Sequence, residues 1–343
     1  MQNLFMRKDS SANFKKVLST AANIVIITHW SPDGDAMGSS LGLYHYLKAK
    51  GKKVNVVVPN EYPAFLNFLP GNSTVIDHLA NPKKAEGLVK KADVIFTLDF
   101  NSFGRIEELG KAVQASNAVK IMIDHHREPE NYAKLYYHDI NACSTCELVY
   151  ELIVALGDRK LIEKKIATCL YTGMLTDTGS FRFPSTTANT HRIVSDLIDK
   201  GANNAEIYNA IHDDNTVYRL KLLGYCLSEK MVVLNEYNAA YMSLSEEEQN
   251  RFNYVKGDTE GVVNYPLSIR GLKFSAFFSE RDGVVKMSFR SKGKFDVNQF
   301  ARKHFKGGGH KNAAGGKSDV SLKQTIDNFL KVLPLYKKEL SGK

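Results

Sequence analysis

The stretch "IMIDHHRE" (residues 121–128) closes an apolar run on Asp124, His125 and His126, three side chains that are costly to bury. The pattern recurs through the first half of the chain. "NIVIIT" delivers His29, with Asp33 and Asp35 following in "WSPDGDAMG"; "DVIFTLD" delivers Asp99; "GMLTDTGSFRF" carries Asp177. Taken singly, an aspartate or histidine at such a place is a helix cap or turn former. Gathered at one edge, carboxylates repel one another unless cations sit among them. Imidazole and carboxylate oxygen together suit Mn²⁺, Fe²⁺, Zn²⁺ or, less well, Mg²⁺. Six candidate ligands (His29, Asp33, Asp35, Asp99, His125, Asp177) are too many for one open catalytic site. They fit two ions sharing a bridging carboxylate at roughly 3.5–4 Å, the arrangement used for in-line displacement at phosphorus. Asp99, alone at a middle strand, is the natural bridge. Gly34 and Gly38 are expected to make a tight turn that aims Asp33 and Asp35 apart.

The elements that must position these residues read as an alternation. Strand-like runs cover 23–28, 53–58, 93–99 and 119–124. A helix is predicted over 35–51, with Leu41, Tyr44 and Leu47 on one face and Gly51 as its stop. Further helical patterns cover 145–157, 163–177 and 187–201. Near-continuous apolar strands separated by helices describe a parallel sheet covered on both faces. In such a sheet ligands bind beyond the carboxyl ends of the strands, at a topological switch point. From about residue 231 the texture changes. "MVVLNEYNAAYMSL", "KFSAFFSER" and "VVKMSFRSKG" alternate like half-exposed antiparallel strands, with an Asp-Gly hairpin turn in "SERDGVVK" and helical patterns near 296–305 and 320–338. The expected fold is α/β: a doubly wound, mostly parallel sheet over 1–200, a helical connector over 201–230, and a smaller α/β domain with a mixed sheet over 231–343.

Charge divides along the same line. Residues 270–343 hold 17 Lys+Arg against 6 Asp+Glu, a net of +11, while the rest of the chain nets −2. Anion attraction is therefore expected in the back half and gathered carboxylates in the front. The four cysteines are too few and too irregularly spaced for a disulfide framework, and the lone CxxC of Cys143 and Cys146 has no second pair to complete a zinc site. No apolar run approaches the ~18 residues of a membrane span, and the opening residues have no sustained apolar core of a signal peptide. A cytoplasmic location without membrane partners is the expectation.

The segments "THWSPDGDAMGSS", "TLDFNSFGRI", "IMIDHHREPE" and "GMLTDTGSFRF" resemble the four successive motifs of DHH phosphoesterases. "FKGGGHKNAAGG" (305–316) resembles the glycine-rich signature of the associated DHHA1 domain. The two-domain layout is most similar to the nanoRNase/pAp phosphatases, and the likeness covers nearly the whole chain. Trp30, beside His29, is a less usual residue at its position. The resemblance implies two divalent ions, with Mn²⁺ the expected choice. His29, Asp33 and Asp99 would hold one; Asp35, Asp99, His125 and Asp177 would hold the other. His126 would face the substrate phosphate and assist leaving-group departure, and Asp124 would orient a neighbouring imidazole.

In the back half, the backbone N–H groups of Gly307, Gly308 and Gly309, with His310, could approach an anion closely. Ser288, Arg290 and Asn298 lie where DHHA1 domains face substrate, and the planar fork of Arg290 matches phosphate best. A cleft between an ion-bearing front and a basic back would admit a small phosphorylated ligand rather than a long polymer. The implied reaction is hydrolysis of short oligoribonucleotides and of 3′-phosphoadenosine 5′-phosphate by a hydroxide bridging the two ions, with His126 protonating the departing oxygen. Rival readings are a phosphodiesterase of cyclic or linear dinucleotides, an inorganic (poly)phosphatase, and an RNA-binding module with structural ions. The family likeness also implies a homodimer.

Overall fold

β-Branched runs build a seven-stranded sheet in the first part of the chain. Its strands are β1 (Met6–Lys8), β2 (Asn23–Thr28), β3 (Lys53–Val58), β4 (Ile76–Asp77), β5 (Val94–Leu98), β6 (Val119–Asp124) and β7 (Leu135–Asp139). The computed structural model describes residues 6–341, which divide into two compact units between Asp214 and Asn215. The strand order is β1-β7-β6-β5-β2-β3-β4, parallel throughout except for β1 against β7. The order reverses at β2 and β5, whose carboxyl ends deliver His29 and Asp99 side by side.

Eight helices surround this sheet: α1 (Ser11–Thr20), α2 (Gly34–Ala49), α3 (Pro82–Lys91), α4 (Leu109–Ala115), α5 (Thr145–Ala155), α6 (Lys164–Asp177), α7 (Ala188–Asp199) and α8 (Asn204–Tyr208). Successive strand residues point to opposite faces, so both faces must be covered. Ile24, Ile26, Phe96 and Ile121 pack with Phe14 of α1, Met37 and Leu41 of α2, and the apolar residues of α5 and α6. Val25, Ile27 and Ile95 pack on the other face with Ala85 and Val89 of α3 and Leu109 and Val113 of α4. Sequence reasoning names neither β1 nor β7. Both sit at one edge of the sheet, and β7 is rich in tyrosine and ends on His138 and Asp139 rather than on an aliphatic run.

The crossing of α2 and α6 corrects one expectation. Gly34 and Gly38 are not turn residues; they lie inside α2 and let α6 approach. A Cβ on Gly38 would stand 2.5 Å from the Cys169 carbonyl oxygen, and one on Gly34 would stand 2.3 Å from Thr176 Oγ1. Close approach of the two helices brings Asp35, in the first turn of α2, to Asp177, the last residue of α6.

The second unit comprises α9 (Val217–Ser228), β8 (Val232–Leu234), β9 (Ala239–Leu244), α10 (Glu246–Arg251), β10 (Phe274–Arg281), β11 (Val284–Ser291), α11 (Val297–His304), β12 (Gly308–Gly309), β13 (Ala313–Ser318), α12 (Leu322–Val332) and α13 (Lys337–Ser341). Its six strands run in the order β12-β13-β11-β10-β9-β8. The sheet is mixed: β9 and β10 are parallel, and every other pair is antiparallel. Strands β9 and β10 are buried on both faces over most of their length, whereas β11 keeps the expected alternation with one face half-buried. Phe274, Phe278 and Phe289 join Phe295, Phe300 and Phe329 in an aromatic core on one face, while Phe277 and Met242 pack with Leu222 and Cys226 of α9 on the other. Asp282 (φ 52°) and Gly283 (φ 73°) make the β10–β11 turn, both in the left-handed conformation that a tight hairpin demands.

Candidate metal centre and its surroundings

Four strand and helix ends of the first unit converge on one cluster. His29 follows β2, Asp99 follows β5, Asp124 ends β6 with His125 and His126 after it, and Asp177 ends α6. Asp33 is the N-cap of α2: its Oδ1 accepts the amides of Asp35 and Ala36, each at 3.0 Å. One carboxylate oxygen makes the cap, so the cap does not conflict with a ligand role for the same residue. Asp99 sits at φ 63°, in the left-handed region that aspartate enters more readily than most side chains.

The distances sort these groups into two sets that meet at Asp99. Its Oδ2 lies 3.4 Å from His29 Nε2, and Asp33 Oδ1 lies 3.8 Å from the same nitrogen. Its Oδ1 lies 3.5 Å from His125 Nε2, which also has Asp177 Oδ2 at 3.5 Å and Asp35 Oδ2 at 3.8 Å. Ligands held ~2.0–2.2 Å from one ion stand about 3–3.5 Å apart, close to these separations and longer than direct hydrogen bonds. The atoms of His29, Asp33 and Asp99 fall within 4.8 Å of one another, as do those of Asp35, His125 and Asp177. Either set could hold a divalent cation.

Backbone groups fix the presentation of several of the candidate ligands. His29 Nδ1 lies 2.9 Å from the Trp30 carbonyl, and His125 Nδ1 lies 3.1 Å from the Ala142 carbonyl. A carbonyl only accepts, so both Nδ1 atoms carry the proton and both Nε2 atoms are turned to the cluster. The first amides of α5 grip Asp35: Thr145 N donates to Oδ2 at 2.6 Å and Cys146 N to Oδ1 at 2.9 Å. Thr145 Oγ1 donates to Asp99 Oδ1 at 2.9 Å. Asp124, fully buried, accepts from His126 Nδ1 at 2.8 Å, so the imidazole it orients is that of His126. His138 Nε2 in turn holds the His126 carbonyl at 2.7 Å.

Charge in the cluster is unbalanced. Burial works against protonation of His29, yet the nearby carboxylates of Asp33 and Asp99 push it up to about 10. Burial likewise opposes His125, but Asp177, Asp99 and Asp35 push it up to about 9. Burial, reinforced by Asp99 and Asp177, drives Asp35 well above the usual carboxylate range. The carboxylates call for positive charge, as a cation site does. His126 goes the other way: burial first, then the charge of Arg105, hold it well below the ordinary histidine value.

In the second unit, Ser288 and Arg290 share one face of β11, half-buried, opposite the aromatic core. Register sets Ser288 against Gly315 of β13, and Gly315 against Gly308 of β12. The glycine run serves this pairing: a Cβ on Gly307 would stand 2.1 Å from the Gly315 carbonyl oxygen, and Gly309 has φ 147°. Asn298 is buried, and its Oδ1 accepts Gly309 N at 3.0 Å and Arg302 Nε at 3.1 Å, so that oxygen holds the loop. His310 turns the chain into β13 through its amide, which donates to the Ala313 carbonyl at 2.7 Å. Arg290 Nη1 donates to the Phe289 carbonyl at 3.0 Å.

Comparison with known proteins agrees with this geometry. Residues 23–174 match the DHH family, N-terminal domain, and residues 236–339 match the DHHA1 domain. A bifunctional oligoribonuclease and PAP phosphatase, NrnA, from Thermus thermophilus is 33% identical over 311 residues, covering 90% of this chain and 89% of the relative. The chain belongs to the DHH family. NrnA of Bacillus subtilis, named for the same two activities, is 28% identical over 301 residues, 88% of this chain and 90% of that protein. Among solved structures, an exopolyphosphatase-related protein from Bacteroides fragilis is 44% identical and superposes with a TM-score of 0.92, covering 96% of this chain and 97% of that one.

Several residues around this DHH site escape sequence reasoning. Thr145, the Cys146 amide and the Ala142 carbonyl act on ligands through backbone or a hydroxyl, and nothing in their types announces it. A signal was present in "STCE": Ser144 caps α5 by accepting the Glu147 amide at 3.1 Å, and Glu147 answers by accepting the Cys143 amide at 2.8 Å. The CxxC therefore marks a helix start. Both of its thiols are buried and pushed up by burial. No helix among the described residues is long and apolar enough to cross a membrane.

Proposed function

We propose that this chain is a metal-dependent phosphoesterase that hydrolyses short oligoribonucleotides and 3′-phosphoadenosine 5′-phosphate. The observation that carries the reading is the division of Asp99, one oxygen toward His29 and Asp33, the other toward His125, Asp35 and Asp177. The donor set, hard carboxylate oxygen with imidazole nitrogen, fits two divalent ions, and Mn²⁺ is our choice among those it accepts. When bound, such ions would supply Lewis-acid charge at phosphorus and lower the pKa of a water. The rest falls to the chain's own groups. Asp99 keeps the two sets in register. Asp124 fixes the ring of His126 through Nδ1, and Nε2 is the atom that in our reading serves the substrate. In our reading the anionic phosphate, once beside Nε2, favours the imidazolium, which then passes a proton to the leaving oxygen. Ser288, Arg290 and the amides of Gly307 and Gly308 are the proposed phosphate and nucleotide contacts of the second unit; the Gly309 amide is taken by Asn298, which holds their loop. The names of the relatives supply the substrate class. The homodimer belongs to the same proposal and is read by light scattering.

The test is a turnover panel with Mn²⁺: 3′-phosphoadenosine 5′-phosphate, a dinucleotide RNA, a 24-mer, cyclic dinucleotides and pyrophosphate. Preferred turnover of the first two is the expected outcome. Preference for the cyclic dinucleotides or pyrophosphate would reassign the substrate, and no turnover with Mn²⁺, Mg²⁺ or Zn²⁺ would leave only a binding protein.

A further inference from the structure

One cation beside the cluster has no assigned purpose. Arg105 lies in a short 3₁₀ turn, Phe103–Ile106, just after Asp99. The turn is firmly seated: Ile106 is fully buried, Arg105 N donates to the Ser102 carbonyl at 3.1 Å, and Phe103 N donates to Glu130 Oε2 at 3.2 Å. Two hydrogen bonds tie it to the cluster. The Arg105 carbonyl accepts Trp30 N at 2.7 Å, and the Trp30 carbonyl accepts His29 Nδ1 at 2.9 Å. The backbone of Arg105 is thereby locked to the residue that follows His29.

The guanidinium itself is half-exposed and makes no hydrogen bond or ion pair with the described residues. Neither Glu107 nor Glu108 pairs with it, and Glu108 is engaged by Lys111 at 2.6 Å. The backbone of Arg105 instead stands two hydrogen bonds from the His29 ring, which sets the residue at the rim of the cluster. A fixed positive group at the rim of a site that gathers cations is unfavourable unless an anion lies between them. Arginine is suited to that anion, because its planar fork meets two phosphoryl oxygens at once.

We propose that Arg105 is a catalytic residue whose guanidinium binds the non-bridging oxygens of the phosphate being hydrolysed, opposite the ion-binding side chains. The assignment rests on the phosphoesterase reading. Charge develops on those oxygens during in-line displacement, and a donor already in place stabilises it without reorganisation.

The experiment uses the full chain loaded with Mn²⁺ and takes inorganic phosphate as the probe. Calorimetric titration should show phosphate affinity falling about tenfold or more in Arg105→Ala and Arg105→Gln, with Arg105→Lys intermediate. Bound Mn²⁺ per chain and the melting temperature should match the parent in Arg105→Gln, the variant that keeps the bulk of the side chain. Turnover of 3′-phosphoadenosine 5′-phosphate should fall about 10²-fold or more, and millimolar guanidinium should restore part of it in Arg105→Ala. Phosphate affinity within twofold of the parent in folded Arg105→Gln overturns the assignment. A parent that turns over none of the proposed substrates, yet binds phosphate through Arg105, would sink the substrate reading and leave the phosphate contact standing.

Discussion

Asp99 and His126 stand a few ångströms apart and are predicted to fail in opposite ways. Asp99 Oδ1 lies 3.7 Å from His126 Nδ1, but only Asp99 faces both ligand sets. Asp99→Ala should reduce bound Mn²⁺ well below two per chain, measured by elemental analysis after gel filtration. His126→Ala should leave that stoichiometry unchanged and lower kcat about 10²–10⁴-fold, the usual worth of a positioned proton donor. Near-parental turnover in His126→Ala would end its role. Thr145→Val tests the residues that hold ligands from behind: losing the 2.9 Å bond to Asp99 should weaken Mn²⁺ binding about 10–100-fold, read by competition with a chelating dye. The ligand candidates are legible because most of them follow an apolar run and all are of residue types that burial penalises. Thr145 and the Ala142 carbonyl are not, because a threonine at a helix start and a bare carbonyl look the same whether or not a ligand leans on them.

The elements show where patterning succeeds and where it stops. Strands β2, β3, β5 and β6 declare themselves through consecutive Val and Ile, and the parallel order follows from the helices between them. The glycines of α2 mislead in sequence, since a glycine near two aspartates reads as a turn and only the partner helix reveals its use. That use makes a prediction. In Gly38→Ala the new methyl would meet the Cys169 carbonyl oxygen at 2.5 Å and the Gly173 nitrogen at 3.0 Å, both backbone atoms that cannot rotate away. Overpacking of this kind costs about 1–3 kcal/mol. The variant should melt a few degrees lower, and its Mn²⁺ affinity should fall as well, because α2 carries Asp35 and α6 carries Asp177. Unchanged ion binding at a lowered melting temperature would mean that the crossing supports the fold and not the site.

Across the whole molecule, acid and ions should act on stability through different groups. Burial alone would raise Asp196, but Arg159 at 2.6 Å and Tyr150 at 2.7 Å outweigh it and hold its carboxyl below the usual range. Asp158 is held low in the same way by Tyr46 at 2.7 Å and Lys50 at 3.1 Å. A depressed carboxylate contributes stability that is complete above its unfolded value, about 3.9, and is lost as pH falls through the lower folded one. Asp158→Asn should therefore destabilise the chain near neutrality and flatten its acid limb below about pH 4, as followed by circular dichroism. The ion cluster behaves differently, because its surplus of carboxylates is unfavourable until a cation arrives. Ions that bind only the folded chain stabilise it by mass action, about 2.7 kcal/mol at a hundred times the dissociation constant. Millimolar Mn²⁺ should thus raise the melting temperature of the parent at neutral pH, and a chelator should reverse the rise. Asp99→Ala should lose the response, whereas Asp158→Asn, remote from the cluster in sequence and hydrogen bonding, should keep it in full. An equal Mn²⁺ shift in parent and Asp99→Ala would place the binding elsewhere, and the shared carboxylate would no longer explain why four strand and helix ends converge on it.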